Sequence, residues 1–120
     1  MSKLLGGVLS LVFLVPPMSV AGQQVETGLI EQGEQLYQDQ CALCHEDSGT
    51  GYPPTFPALS GSDQLEDPSR LVRSIHLGRG RMPPFPNLTV EEMLSLATYV
   101  RNAWANDFGS MTTEEVVAAR

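Results

Sequence analysis

Cys41 and Cys44 stand three positions apart and His45 follows at once, in the run Cys41-Ala42-Leu43-Cys44-His45. This is the attachment sequence for c-type haem. On about one helical turn both thiols can add to the two vinyl groups of one porphyrin, and the adjacent imidazole reaches the iron from the same side. Cys41 and Cys44 then tether one covalent haem, and His45 is an iron ligand. Three other uses of such a pair compete. A thioredoxin-like redox pair expects a preceding strand and a βαβ pattern, neither of which the chain shows. A structural zinc site needs two further ligands at fixed spacing, and the chain has two Cys and two His in all. A disulfide between Cys41 and Cys44 would close a very small loop and leave the adjacency of His45 unused.

Iron held by His45 needs a ligand on its other face or an open position there, and the choice separates an electron carrier from a haem catalyst or gas sensor. Met82 is the candidate. It lies in Gly78-Arg79-Gly80-Arg81-Met82-Pro83-Pro84-Phe85-Pro86, where two Gly and three Pro forbid regular structure and the prolines have little backbone freedom to lose. A soft, uncharged thioether favours reduced iron and raises the potential into a carrier's range. Met93 falls on an apolar helical face and suits the core. His76 is the rival ligand; its place near a helix end also suits an ordinary surface cation.

Helices must position these groups. Leu29, Ile30, Gly33, Leu36 and Tyr37 recur at three- and four-residue spacings, which marks an amphipathic helix running into Cys41 after a polar, frayed stretch at 23–26. Gly33 in its middle costs about 1 kcal/mol against Ala and calls for a close helix neighbour. Residues 46–62 are rich in Gly, Pro and Ser and must be loop, yet Tyr52, Phe56 and Leu59 make that loop apolar enough to cover a buried group. Asp67 as cap and Pro68 at the first position start a second helix that stops at Gly78. The capping box from Thr89 to Glu92 starts a third, with Val90, Met93, Leu94, Ala97, Val100 and Trp104 at helical spacing and an end near 106–109. A second box, Thr112 to Glu115, starts a short terminal helix. No strand alternation or repeat appears.

With 120 residues the chain holds at most one domain. Residues 1–21 carry Lys3, an apolar run from Leu4 to Val15 and the small-x-small pattern Ser19-Val20-Ala21, which predicts an export signal cut after Ala21 and a domain over residues 22–120. The apolar run is shorter than the roughly 20 residues of a membrane span, and Pro16-Pro17 end it, so an uncleaved anchor is the lesser expectation. A periplasmic location suits the haem motif independently. Loss of Lys3 leaves six arginines against fourteen carboxylates, a net charge of −8. That field argues against nucleic acid and anionic membrane surfaces, and favours a docking partner with a positive patch.

These residues together resemble the class I c-type cytochromes over the whole chain after residue 21. Gly33 and Tyr37 are similar to that family's first-helix pair, and Leu96 and Tyr99 to the last-helix pair that crosses it. Pro57-Ala58-Leu59 is similar to its Pro-x-Leu element, whose proline carbonyl accepts a hydrogen bond from the ligand imidazole, so the resemblance implies that Pro57 orients His45. Met82 matches the axial methionine in order and loop context. Tyr99-Val100-Arg101-Asn102-Ala103-Trp104 and Thr113–Arg120 look more narrowly like bacterial monohaem cytochromes and the haem domains attached to periplasmic quinoprotein and alcohol dehydrogenases. The implied fold is all-α, with three main helices and a short C-terminal one around a single covalent haem. The implied function is one-electron transfer between redox proteins, a donor and an acceptor such as a dehydrogenase, oxidase or reductase. A dedicated haem subunit of such an enzyme is the alternative. Tyr52, Arg79 and Arg81 are candidates to hold haem propionates or to orient docking. The chain after residue 21 lacks Lys, so the basic ring of the mitochondrial type is absent.

Overall fold

A computed structural model describes residues 7, 10–16 and 20–120, with side chains of the first helix described from residue 26. The expected signal and its cut after Ala21 fall largely outside these residues. Among those described, Leu11 to Val15 are exposed.

The described residues form five α-helices and no strand: α1 Val20–Gln40, α2 Ala42–His45, α3 Pro68–Leu77, α4 Val90–Asn102 and α5 Thr113–Ala119, with a 3₁₀ turn at Asp63–Leu65. Two isolated bridges, Tyr52 with Phe56 and Arg79 with Met82, are the only β-type pairings among them. The all-α expectation holds. The starts of the later helices follow their local signals. Asp67 accepts from the Ser69 and Arg70 N–H groups with Pro68 behind it, and Thr89–Glu92 and Thr112–Glu115 both form complete capping boxes.

Two boundaries differ from the sequence reading. α1 begins at Val20 rather than near Leu29, so the stretch expected to fray is helical. Residues 23–27 contain no proline or glycine to stop a helix, and a helix needs no apolar periodicity to continue through them; Glu26 accepts from the Ser110 hydroxyl at 2.8 Å, and a Cβ on Gly28 would meet nothing within 4 Å. α4 ends at Asn102, short of the expected 106–109. Ala103 turns extended and Trp104 takes φ +56°, which directs the indole off the helix despite its helical spacing.

α1 and α4 make the most extensive helix pair. They cross at Gly33, where an added Cβ would fall 2.1 Å from the Ser95 carbonyl oxygen and 2.7 Å from Tyr99 Cβ. Tyr37, one turn on, is fully buried and meets the rings of Tyr99 at 5.6 Å and Trp104 at 5.1 Å. Its hydroxyl donates to the Glu46 carbonyl at 2.6 Å, and burial raises the phenol well above its ordinary range. α3 and α5 pack together, and the core runs through Val72, Ile75, Met93, Leu96, Val100 and Val116.

Gly33→Ala is expected to lower the melting temperature. The backbone of Ser95 cannot swing aside, so overpacking should cost near the upper end of the usual range, about 3 kcal/mol. Alanine's better helix propensity returns only about 1 kcal/mol. The net loss corresponds to a drop on the order of 10 °C for a domain of this size, measured by calorimetry. An unchanged melting temperature would show that the crossing has slack.

Candidate haem site

The attachment motif follows directly on α1. Cys41 N–H donates to the Tyr37 carbonyl at 2.8 Å, continuing the helical bonding, and α2 is the single turn that carries Cys44 and His45. Two cavities of about 360 and 180 Å³ open beside this turn, and both are lined by Cys41, His45, Pro57, Arg79 and Met82, so they are parts of one crevice. The larger has apolar walls from Leu59, Leu65, Leu71, Ile75, Leu96 and Val100, with Ser62, Gln64, Arg70 and Ser74 as polar groups. The smaller reaches Cys44, Phe56, Arg81 and Phe85.

His45 is buried, and its Nδ1 lies 2.9 Å from the Pro57 carbonyl oxygen. A carbonyl can only accept, so Nδ1 carries the proton and the Nε2 lone pair is left for a metal. Pro57 thus stands where the resemblance put it. Met82 lines the same crevice. Its backbone is held in a tight turn, with Met82 N–H donating to the Arg79 carbonyl at 2.9 Å and Arg79 N–H to the Met82 carbonyl at 3.1 Å. Gly78 ends α3 at φ +74° and lies so close to the turn that a Cβ there would be 2.7 Å from the Met82 oxygen. Phe85 N–H donates to the Ile75 carbonyl and ties the loop back to α3.

The other expected residues divide. Arg79 and Arg81 line the crevice and are themselves largely exposed. Tyr52 is 60% exposed and lines neither cavity; its phenol is raised by a hydrogen bond to the Glu46 carboxylate. His76 also lines neither cavity, and its Nδ1 is buried without a hydrogen-bond partner, so it is not the freely exposed side chain expected at a helix end. Met93 is fully buried in the core. Arg70, Gln64 and Ser74 were missed by the sequence reading; Arg70 donates to Gln64 at 3.1 Å, and only the fold brings them to the crevice.

Residues 28–100 match the family described as cytochrome c oxidase, cbb3-type, subunit III. The chain is a c-type cytochrome domain of that family. It is similar to the alcohol dehydrogenase (quinone) cytochrome c subunit of Gluconobacter oxydans (strain 621H), 29% identical over 104 residues, covering 73% of this chain and 22% of that protein. It is likewise similar to the cbb3-type cytochrome c oxidase subunit CcoP of Azospirillum sp. (strain B510), 29% identical over 99 residues, covering 71% and 32%. The cytochrome thus spans between 22% and 32% of the length of these relatives.

Domains of this family carry covalent haem c, and the crevice fits one. Its larger part lies within the roughly 300–1,000 Å³ of ordinary cofactor sites. Both cysteines are on its walls. Burial, and secondarily Cys44, pushes the Cys41 thiol up to about 11, so the wall disfavours a charged sulfur and suits a neutral thioether. Among the described residues no cluster of three or more His, Cys, Asp or Glu could hold a bare metal ion. When bound, the haem supplies a one-electron iron couple. The chain supplies a turn bearing both thiols, an imidazole whose tautomer is set by a carbonyl, a largely apolar enclosure, and a thioether on a pinned turn. Such a site is suited to electron transfer, since little in it must move between oxidation states.

Proposed function

We propose that this cytochrome domain is a periplasmic one-electron carrier, with haem tethered by Cys41 and Cys44 and iron ligated by His45 and Met82. The observation that carries the reading is that His45 and Met82, 37 positions apart, line one crevice on restrained backbones. Residues 1–21 serve as the export signal and residues 22–120 as the mature domain. Pro57 orients His45, and Arg79 and Arg81, at the crevice and exposed, meet the haem carboxylates or a partner's surface. The net charge of −8 on the mature chain favours a donor or acceptor with a positive patch.

A second reading is supported by the relatives, whose names make them subunits of a quinone-type alcohol dehydrogenase and of a cbb3-type oxidase. In it the chain is a dedicated haem subunit rather than a free carrier. Among the described residues no helix is long and apolar enough to cross a membrane.

Spectroscopy of the purified holoprotein tests the ligand set. Ferric protein should show the weak near-infrared methionine–iron band, and ferrous protein should bind carbon monoxide slowly. Absence of the band together with rapid carbon monoxide binding would mean an open sixth position and a haem enzyme or gas sensor. Co-purification with a larger dehydrogenase or oxidase from native membranes and periplasm would favour the subunit reading over the free carrier.

A further inference from the structure

The matched family segment stops at Val100, and the residues after it do something that neither the motif nor the ligand set records. Because Ala103 is extended and Trp104 has positive φ, the chain leaving α4 doubles back beneath the loop that follows His45. There Asn106 is buried and fully used. Its Nδ2 donates to the Leu59 carbonyl at 3.0 Å and to the Val100 carbonyl at 2.9 Å, and its Oδ1 accepts from Gly61 N–H at 2.7 Å. One side chain therefore joins the loop to the last turns of α4.

The loop is closed at the same level. Leu59 and Ser60 N–H both donate to the Gly49 carbonyl, at 2.7 and 2.9 Å. Gly49 lies under the Trp104 indole, which a Cβ would approach to 2.6 Å, and Trp104 Nε1–H donates to the Asp47 carbonyl at 2.8 Å. Residues 104 and 106 thus hold both sides of the loop's neck. Within the loop so closed, two residues before Leu59, is Pro57, whose carbonyl accepts from His45 Nδ1.

We infer that Asn106 is a positioning residue for the axial imidazole, acting through Leu59 and the Pro57 carbonyl; the inference rests on the ligation of iron by His45. A carbonyl held on Nδ1–H fixes the ring and makes it a stronger donor to the metal. Loss of Asn106 also removes a donor from the buried Val100 carbonyl, leaves the half-buried Leu59 carbonyl with the Ser62 N–H at 3.3 Å, and frees the exposed Gly61 N–H from the neck. The neck then opens more often, the Pro57 carbonyl spends less time on Nδ1–H, and the ferric iron, which gains most from a strong donor, loses more than the ferrous.

The test uses the ferric holoprotein and its Asn106→Ala and Asn106→Ser variants, with Thr112→Ala as a control that removes a remote helix cap. Hydrogen exchange of His45 Nδ1–H is read by NMR, and the potential by titration. Asn106→Ala should exchange about tenfold faster and have a higher potential; a tenfold fall in the ferric-to-ferrous ratio corresponds to about 59 mV. Asn106→Ser, whose hydroxyl can donate to one carbonyl, should lie between Ala and the parent. Thr112→Ala should melt earlier and change neither reading. Parent-like exchange and potential in both Asn106 variants would overturn the inference, as would failure of both to hold haem while Thr112→Ala does. Absence of paramagnetically shifted His45 ring signals in the parent would instead sink the ligation reading, and the inference with it.

Discussion

Replacing Met82 by alanine is expected to remove the near-infrared methionine–iron band and to lower the reduction potential by on the order of 0.2 V, a fraction of the roughly 0.8 V that axial ligation spans. The thioether is soft and uncharged, and it favours reduced iron. Without it the sixth position falls to water or another hard donor, which favours the ferric form. Among the described residues no other Met and no second His lines the crevice: His76 stands outside both parts, and the turn bearing residue 82 is pinned to Arg79 and to the end of α3. His76→Ala should accordingly leave both the band and the potential unchanged. Potentiometric titration of the two variants checks the pair, and a parent-like potential in Met82→Ala would remove Met82 from the ligand set.

The second large effect is expected from Cys41→Ser combined with Cys44→Ser. Haem should no longer survive denaturing gel electrophoresis or acid extraction, and the chain without it should lose its fold. The crevice of about 360 Å³ is open and carries Ser62, Gln64, Arg70 and Arg79 beside its apolar walls, so without haem those walls either meet water or close on one another. The crevice walls come from α1, α3, α4 and the intervening loops, so collapse into it would disturb every major packing contact. Circular dichroism of the haem-free double variant should show a clear loss of helix, and native helicity there would mean that the crevice closes without haem at little cost.

What could be read from the residues alone was what is local. The tethering turn, the caps at Asp67, Thr89 and Thr112, and the stop at Gly78 each rest on a few neighbouring side chains, and each stands where expected. Met82 was legible as a candidate because rigid loop chemistry surrounds it. The failures share a cause. Trp104 has the right spacing for α4, but its backbone conformation is set by what the indole finds near Asp47, 57 positions away. The early start of α1 is invisible to a periodicity argument because residues 23–27 are mostly polar, and the bond that Glu26 accepts from Ser110 lies 84 positions away. Asn106 is bonded 45 and 47 positions back, to Gly61 and Leu59. Nothing in its immediate neighbours distinguishes it from the turn-favouring asparagine it resembles.

The aromatic group of Tyr37, Tyr99 and Trp104 has a practical consequence. Trp104 is the only tryptophan of the sequence, and it touches Tyr37, which itself lines the crevice. Its fluorescence is therefore an intrinsic gauge of loading: a porphyrin held in the crevice that Tyr37 lines should quench it, and the indole's near-ultraviolet emission should return in protein without haem. The molecule reports on its own cofactor without any added label.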